Sequence, residues 1–327
     1  LVIGSNSFSG SHFVDYVLNR KYKVFGLSRS KEPTSEFLPY KNNKNVKNFI
    51  FYRFNLNNPK ENLKISKLIK KNKIQNIVNF ASQGMVEESF FNPIDWYKTN
   101  LIATVDLINK IKNENIKNFL HISTPEVYGN IRKTIYETSP KKPSTPYAIS
   151  RLAMDYHFEA IMKIENFPVK FSRAANVYGE SQQLYRIIPK SIMKILKNEK
   201  IILDGMGSSK RSFVHIKDIT EGYYKILKKG KIGHSYNLSS NEFITIKNLV
   251  GKICKKLKVN YKKNVIERKS DRLGKDFIYK LSAKKIYNEL GWRASTSIED
   301  GLDKTIKWIK KNYPNLKRKK LEYIHKK

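Results

Sequence analysis

The chain opens with LVIGSNSFSGSHFVDYVLNRKYKVFGLS (1–28). LVIG is a short apolar run and SNSFSG a cluster of turn residues. SHFVDYVLNR (11–20) has the spacing of an amphipathic helix, and KVFGLS (23–28) is a second apolar run. Strand, glycine turn, helix and strand in that order make the opening unit of a parallel sheet. Gly4, Ser7 and Gly10 space the turn as G-x-x-S-x-x-G. Such a turn brings backbone close to a pyrophosphate, and the N-terminus of the next helix supplies amide donors and a positive dipole end. Gly4, Ser7, Phe8 and Gly10 are therefore candidate dinucleotide contacts. At the end of the second strand an acid would accept from ribose hydroxyls, whereas arginine accommodates an extra phosphate. Ser28 and Arg29 stand there, with no acid until Glu32, which favours NADP, with NAD as the alternative.

Outward from this unit the alternation continues. Strands are expected in NFIFYRFNL (48–56), IQNIVNFAS (74–82), NFLHIS (118–123) and VKFSRAANVYG (169–179), the last ending in a loop. Helices are expected in ENLKISKLIKKN (61–72), NPIDWYKTNLIATVDLINKIKN (92–113) and PYAISRLAMDYHFEAIMKIE (146–165). Apolar strands alternating with helices imply an α/β fold, a parallel sheet covered on both faces. Beyond residue 180 the alternation loosens, although YNLSS (236–240) reads as a strand returning to the main sheet. The expected division is a dinucleotide-binding domain over 1–179 and an interleaved, smaller, mainly substrate-binding domain over 180–327.

The net charge of +36 admits nucleic acid or an anionic membrane as partners. Only 12 of the 64 basic residues are arginine, however, and the 52 lysines are scattered among Asn and Ile, residues that an AT-rich coding sequence over-supplies. A solvated lysine surface, with some long-range attraction for anionic substrates, accounts for the charge without a specific nucleic acid. The tail KRKKLEYIHKK (317–327) is read the same way, as a solvated end. No apolar run approaches the roughly 18 residues of a membrane span, and no signal peptide is visible. Leu1 falls inside an apparent strand, so a few leading residues are expected before it. Cys254, the single cysteine, excludes an internal disulfide and fits a reducing cytoplasm. It lies in an apolar helix stripe, and the histidines lack metal-ligand spacing; both are read as structural, with no metal.

Tyr147 and Arg151 (YAISR) share a helix face at i and i+4, which sets a cation beside a phenol. A neighbouring cation favours phenolate and can make it a base near neutrality. Thr124, in STPEVYG (123–129) at the end of the preceding strand, could bond the same substrate hydroxyl. The trio suits removal of a carbinol proton while hydride passes to nicotinamide; on spacing alone, a solvent-facing helix start is equally consistent.

The order of GSNSFSG, NFAS, STPEVYG, PYAISR, RAANVYG, RSFVHIKD and DRLGKD resembles the extended short-chain dehydrogenase/reductase family across essentially the whole chain. STPEVYG is similar to the turn of nucleotide-sugar 4,6-dehydratases such as those acting on dTDP-glucose and GDP-mannose. The resemblance implies a Rossmann-type doubly wound sheet with a smaller C-terminal substrate domain. It implies Tyr147 as base at C4 of a hexose, Thr124 as its partner, Arg151 as the cation and Glu126 as base at C5. It places Asn55, Leu56, Ala81, Tyr147 and Arg151 with the turn residues and Ser28–Arg29 around the dinucleotide. Gln83, Asn176, Arg211 and Arg272 would hold the nucleotide-diphosphate hexose, and Asn100 would brace the active-site helix. The helices 93–113 and 147–164 resemble those that pair as a four-helix bundle, implying a homodimer.

Two positions depart from the family pattern. Arg151 stands where lysine is usual; it keeps the charge but presents a fixed planar fork. Pro125 stands where glucose-type dehydratases carry an aspartic acid. Its side chain cannot protonate a leaving hydroxyl, so water or protonated Glu126 must, nearer the GDP-mannose type. A 4-epimerase or decarboxylase of the same fold is the alternative, and Glu126, which a plain epimerase does not need, tilts the reading toward elimination. A catalytically silent cofactor scaffold that binds RNA is the outside alternative.

Overall fold

The computed structural model describes residues 1–131, 133–270 and 280–325. Arg272 lies outside these residues. The strands in chain order are β1 (Val2–Ile3), β2 (Val24–Ser28), β3 (Phe49–Arg53), β4 (Asn76–Asn79), β5 (Asn118–Ile122) and β6 (Thr134–Ile135). They continue with β7 (Val169–Ala174), β8 (Asn176–Tyr178), β9 (Ile201–Asp204) and β10 (Lys210–His215). The last four are β11 (Ser235–Leu238), β12 (Phe243–Thr245), β13 (Val265–Arg268) and β14 (Lys280–Leu281).

Seven of them form one parallel sheet in the order β11-β7-β5-β4-β1-β2-β3. The central strands are buried on both faces, as crossover helices require, so they read as unbroken apolar runs. From β1 the chain builds outward through β2 and β3, then returns to the other side through β4. The order thus reverses between β1 and β4, the point where open α/β sheets hold their ligands. This is the Rossmann-type doubly wound architecture. Away from it, two small sheets (β12-β10-β8 and β13-β9) border a separate core that includes Ile188, Ile192, Leu249, Ile253 and Leu302, while the pair β14-β6 packs through Ile135 and Leu281 into the core of the central sheet. Cys254 is buried in that core.

Three elements differ from the sequence expectation. The first helix is Phe8–Leu18, not 11–20, because the Ser7 side chain accepts from Gly10 N and starts the helix within the turn. The stretch 169–179 is two strands, β7 in the central sheet and β8 in a small one, so the chain changes sheets at Ala175. The helix of 92–113 is Pro93–Tyr97 and Ala103–Ile111 joined by a π segment, Lys98–Ile102. Such a bulge re-aims one residue. Here Asn100, fully buried, holds the Gln83 backbone through both its N–H and C=O and donates to Ser150 Oγ at 3.0 Å.

Candidate active site

After β5 the chain turns sharply. Thr124 is extended and caps the 3-10 turn Pro125–Tyr128, its hydroxyl accepting from Glu126 N at 3.3 Å. Pro125 occupies the first position of that turn, where its ring fixes the required φ and its missing N–H is no loss. Gly129 closes the turn at φ 68°. The proline thus holds the hydroxyl of Thr124 and the carboxylate of Glu126 in fixed relation.

Tyr147 sits in the first turn of the helix Pro146–Glu165, which Thr145 caps through Ala148 N at 3.1 Å. Thr124 lies close enough to act on its phenol. Burial pushes the phenol above the usual tyrosine value; Arg151 and Thr124 pull it back, and Glu126 pushes upward with burial. The cation expected to lower this pKa therefore moderates the shift and does not reverse it.

Arg151 points inward. Its Nη2 donates to the carbonyl of Ile122 and approaches His121 Nε2 at 3.2 Å, while Nε and Nη1 have no hydrogen-bond partner among the described residues. One turn along the helix, Asp155 accepts from Arg173 and from Ser123 Oγ, both at 2.8 Å. Arg173 continues to the Tyr128 hydroxyl at 3.0 Å. His121 is held well below the ordinary histidine range by burial and then by Arg151 and Arg173. Of the two buried guanidiniums only Arg173 is paired with Asp155, so the interior behind Tyr147 carries excess positive charge.

Thr124, Glu126 and Tyr147 line one cavity of about 1390 Å³. A single drug-sized ligand needs roughly 300–1,000 Å³, so this space suits two. Ser7, Phe8 and Arg29 line it from beyond β1 and β2, Gln83 from beyond β4, and Asn176 and Arg211 from β8 and β10. Six of the expected side chains therefore meet the catalytic trio at one surface. Gly4, Gly10, Ser28, Asn55, Leu56, Ala81 and Arg151 do not line it. Gly4, at φ 82°, packs on β4's end, where a Cβ would stand 2.8 Å from Ala81 N. Ser28 Oγ accepts from Asn6 N and ties the turn to β2. Asn55 Oδ1 accepts from Asn57 N, and Leu56 is buried in the core.

The sequence reading missed much of the far wall. Arg186, Lys190 and Lys194 line the cavity from or just before the helix Ile187–Leu196, and Arg268 joins them from β13. Lys319, Lys320 and Tyr323 complete the lining, so the tail expected to be a solvated end is part of the site. With Arg29 and Arg211, eight cationic side chains face three carboxylates, Glu126, Asp204 and Glu322. That excess suits ligands bearing several phosphates. A nicotinamide dinucleotide fits the end formed by Ser7, Phe8 and Arg29, where the capped helix opens on the cavity.

Among the described residues no helix is long and apolar enough to cross a membrane, and no group of His, Cys, Asp or Glu is placed to hold a metal ion.

Residues 1–305 match the family model described as GDP-mannose 4,6 dehydratase. The human dTDP-D-glucose 4,6-dehydratase is 29% identical over 97% of this chain and 91% of its own. The dTDP-glucose 4,6-dehydratase of Streptomyces venezuelae, solved with NAD bound, superposes with a TM-score of 0.88 at 27% identity, covering 96% of this chain and 97% of that one. The Bacillus anthracis dTDP-glucose 4,6-dehydratase in complex with NAD gives 0.84 at 30% identity, covering 96% of each.

Proposed function

The chain belongs to the GDP-mannose 4,6-dehydratase family of the extended short-chain dehydrogenase/reductases, and we propose that it is an NAD(P)-dependent hydro-lyase that converts a nucleotide-diphosphate hexose to its 4-keto-6-deoxy form. The observation that carries this reading is the meeting of Thr124, Glu126 and Tyr147 on one wall, between a dinucleotide end and a cationic end.

Held at the first end, a nicotinamide dinucleotide would supply reversible hydride storage for oxidation at C4 and reduction at C6, without net consumption. Tyr147, aided by Thr124 and by the positive charge of Arg151, takes the proton of the C4 hydroxyl. The resulting ketone acidifies the C5 hydrogen, which Glu126 removes. Because Pro125 carries no proton, Glu126 passes that proton to the C6 hydroxyl, which leaves as water. Asn176, Arg211 and Gln83, with Arg186 and Arg268, hold the nucleotide diphosphate and sugar, a role extended to Arg272 on its motif. The turn from Gly4 to Gly10, with Ser28, Arg29, Asn55, Leu56, Ala81, Tyr147 and Arg151, cradles the dinucleotide.

NADP is the preferred form, with NAD as the alternative. The first acid after β2, Glu32, is taken up by Tyr40 and Lys41, both at 2.7 Å, while Arg29 faces the cavity. Residues 180–327 serve mainly as the substrate domain. Phe91, Ile94 and Ile102, each more than 60% exposed, with Ile149 on the neighbouring helix, form the apolar face of a homodimer. We assign the enzyme to the cytoplasm.

The test is mass spectrometry of the protein incubated with a panel of nucleotide hexoses and catalytic NADP or NAD. Loss of one water from one substrate without cofactor consumption is the expected result. A 4-epimerised product of unchanged mass, seen by NMR, would replace the dehydratase reading with the epimerase.

A further inference from the structure

The chain does not run into solvent after its last helix, Ile298–Leu316, but doubles back across the cavity. Leu316 and Leu321 are buried in the smaller core. Beside them, Asn315 Nδ2 donates to Glu36 at 2.6 Å, and the Lys319 ammonium lies 5.6 Å from the centre of the Phe37 ring. Glu36 and Phe37 belong to the loop that follows β2 and Arg29. Farther along, Tyr323 meets Tyr185 edge-on with ring centres 5.3 Å apart. His325 then closes the segment, bonding the Asp95 carboxylate at 2.7 Å and stacking on the buried Trp96 at 5.1 Å and 16°. The segment starts in the smaller half and is fastened on the central-sheet half at two separate places. Between these fastenings Lys319, Lys320 and Tyr323 face the same cavity as Ser7 and Arg29. The match to the family model ends at residue 305, before this segment.

We propose that residues 319–325 are a clamp on the dinucleotide, with Lys319 and Lys320 facing its phosphates and His325 latching the segment shut on Asp95 and Trp96. The proposal rests on the reading of this cavity as a dinucleotide site. Charge supports a phosphate-bearing occupant, because Lys319 and Lys320 add two cations to a cavity lining in which cations outnumber carboxylates. Location selects the dinucleotide over the nucleotide sugar: both fastenings, at Glu36–Phe37 and at Asp95–Trp96, are on the half built around the β1–β4 switch point. Tyr323 lies within the fields of both Arg29 and Arg186. A latched segment over a bound ligand acts chiefly on the rate of departure.

The experiment uses the full chain and three variants: His325→Ala, Tyr323→Ala and the double variant Lys319→Gln/Lys320→Gln. Dissociation of NADPH and NADH is followed by stopped-flow fluorescence, and UDP, GDP and dTDP binding by calorimetry, with a thermal melt for each variant. The expected result is a tenfold or greater rise in dinucleotide dissociation rate for His325→Ala and for the lysine double variant. Nucleoside diphosphate affinity should change less than twofold, and the melts should stay cooperative. The lysine variant keeps the question open to refutation if loss of an aromatic anchor loosens the fold. Unchanged dinucleotide dissociation in the folded variants, or a loss confined to the nucleoside diphosphates, overturns the clamp alone. A wild-type chain that binds neither dinucleotide overturns the underlying reading, and the clamp with it.

Discussion

The Nη2 of Arg151 lies 3.2 Å from Nε2 of His121, with both side chains sealed from solvent. Because His121 is held neutral, it can accept this bond without cancelling the guanidinium charge. The arginine is thus anchored by an uncharged ring and a carbonyl, and its charge acts on Tyr147, whose phenol it pulls downward. Replacing Arg151 with Met should lower kcat at pH 7 on the order of 100-fold and move the acidic limb of its pH profile upward, since the phenol then loses its main opposition to the upward push of burial. Arg151→Lys keeps the charge but loses the fork, and should fall in between, at roughly tenfold. Profiles of kcat against pH for the three enzymes decide this, and an unshifted limb in Arg151→Met would remove the electrostatic role.

The same histidine makes the fold acid-sensitive. Its folded pKa is depressed, so below about pH 6.5 the unfolded chain binds the proton more readily. The stability contributed by neutral His121 is therefore fully present above that pH and is lost as pH falls through it, by at most about 1.4 kcal/mol per pH unit. His121→Gln offers Arg151 an acceptor that does not titrate. Urea unfolding at pH 7.5, 6.0 and 5.0 should show wild type losing more stability than the variant, by about 1–2 kcal/mol at the lowest pH. Parallel losses would place the acid sensitivity elsewhere.

What could be read from the sequence follows strict local rules. Tyr147 and Arg151 are four residues apart on one helix, and Thr124 and Glu126 flank a proline at a strand end, so neighbours in sequence settle their placing. Arg186 and Tyr323 escaped because contacts across more than a hundred residues bring them to the cavity, as between Tyr185 and Tyr323. Lys319 and Lys320 were lost against a background of 52 lysines. Arginine was the better signal: of the ten described, Arg29, Arg186, Arg211 and Arg268 line the cavity, and Arg151 and Arg173 are buried behind it. The break between β7 and β8 was invisible because Ala174 and Ala175 carry no mark of a change of sheet.

Glu126→Gln separates oxidation from elimination. The variant keeps the Thr124–Tyr147 pair but has no base at C5, so water loss should fall on the order of 1,000-fold. Oxidation at C4 does not need Glu126, and absorbance at 340 nm should rise on mixing with substrate and persist. Exchange of the C5 hydrogen with deuterated solvent should vanish in parallel. Undiminished water loss would assign the C5 proton to another group.

Gly129→Ala tests the turn that carries both residues. At φ 68° and ψ −160° the backbone is in a region that essentially only glycine enters, and an added Cβ would stand well inside contact distance of the Lys142 carbonyl. Strain and clash together should cost about 2–4 kcal/mol and lower Tm by on the order of 5–10 °C. Since the turn holds Thr124 against Tyr147, kcat should fall as well. Gly291→Ala is the control: it too has positive φ, at 60°, but open space around the new Cβ. It should cost only about 1 kcal/mol and leave kcat unchanged. Equal melting losses in the two variants would show that φ alone sets the cost, and an unaltered kcat in Gly129→Ala would show that the catalytic turn tolerates rearrangement.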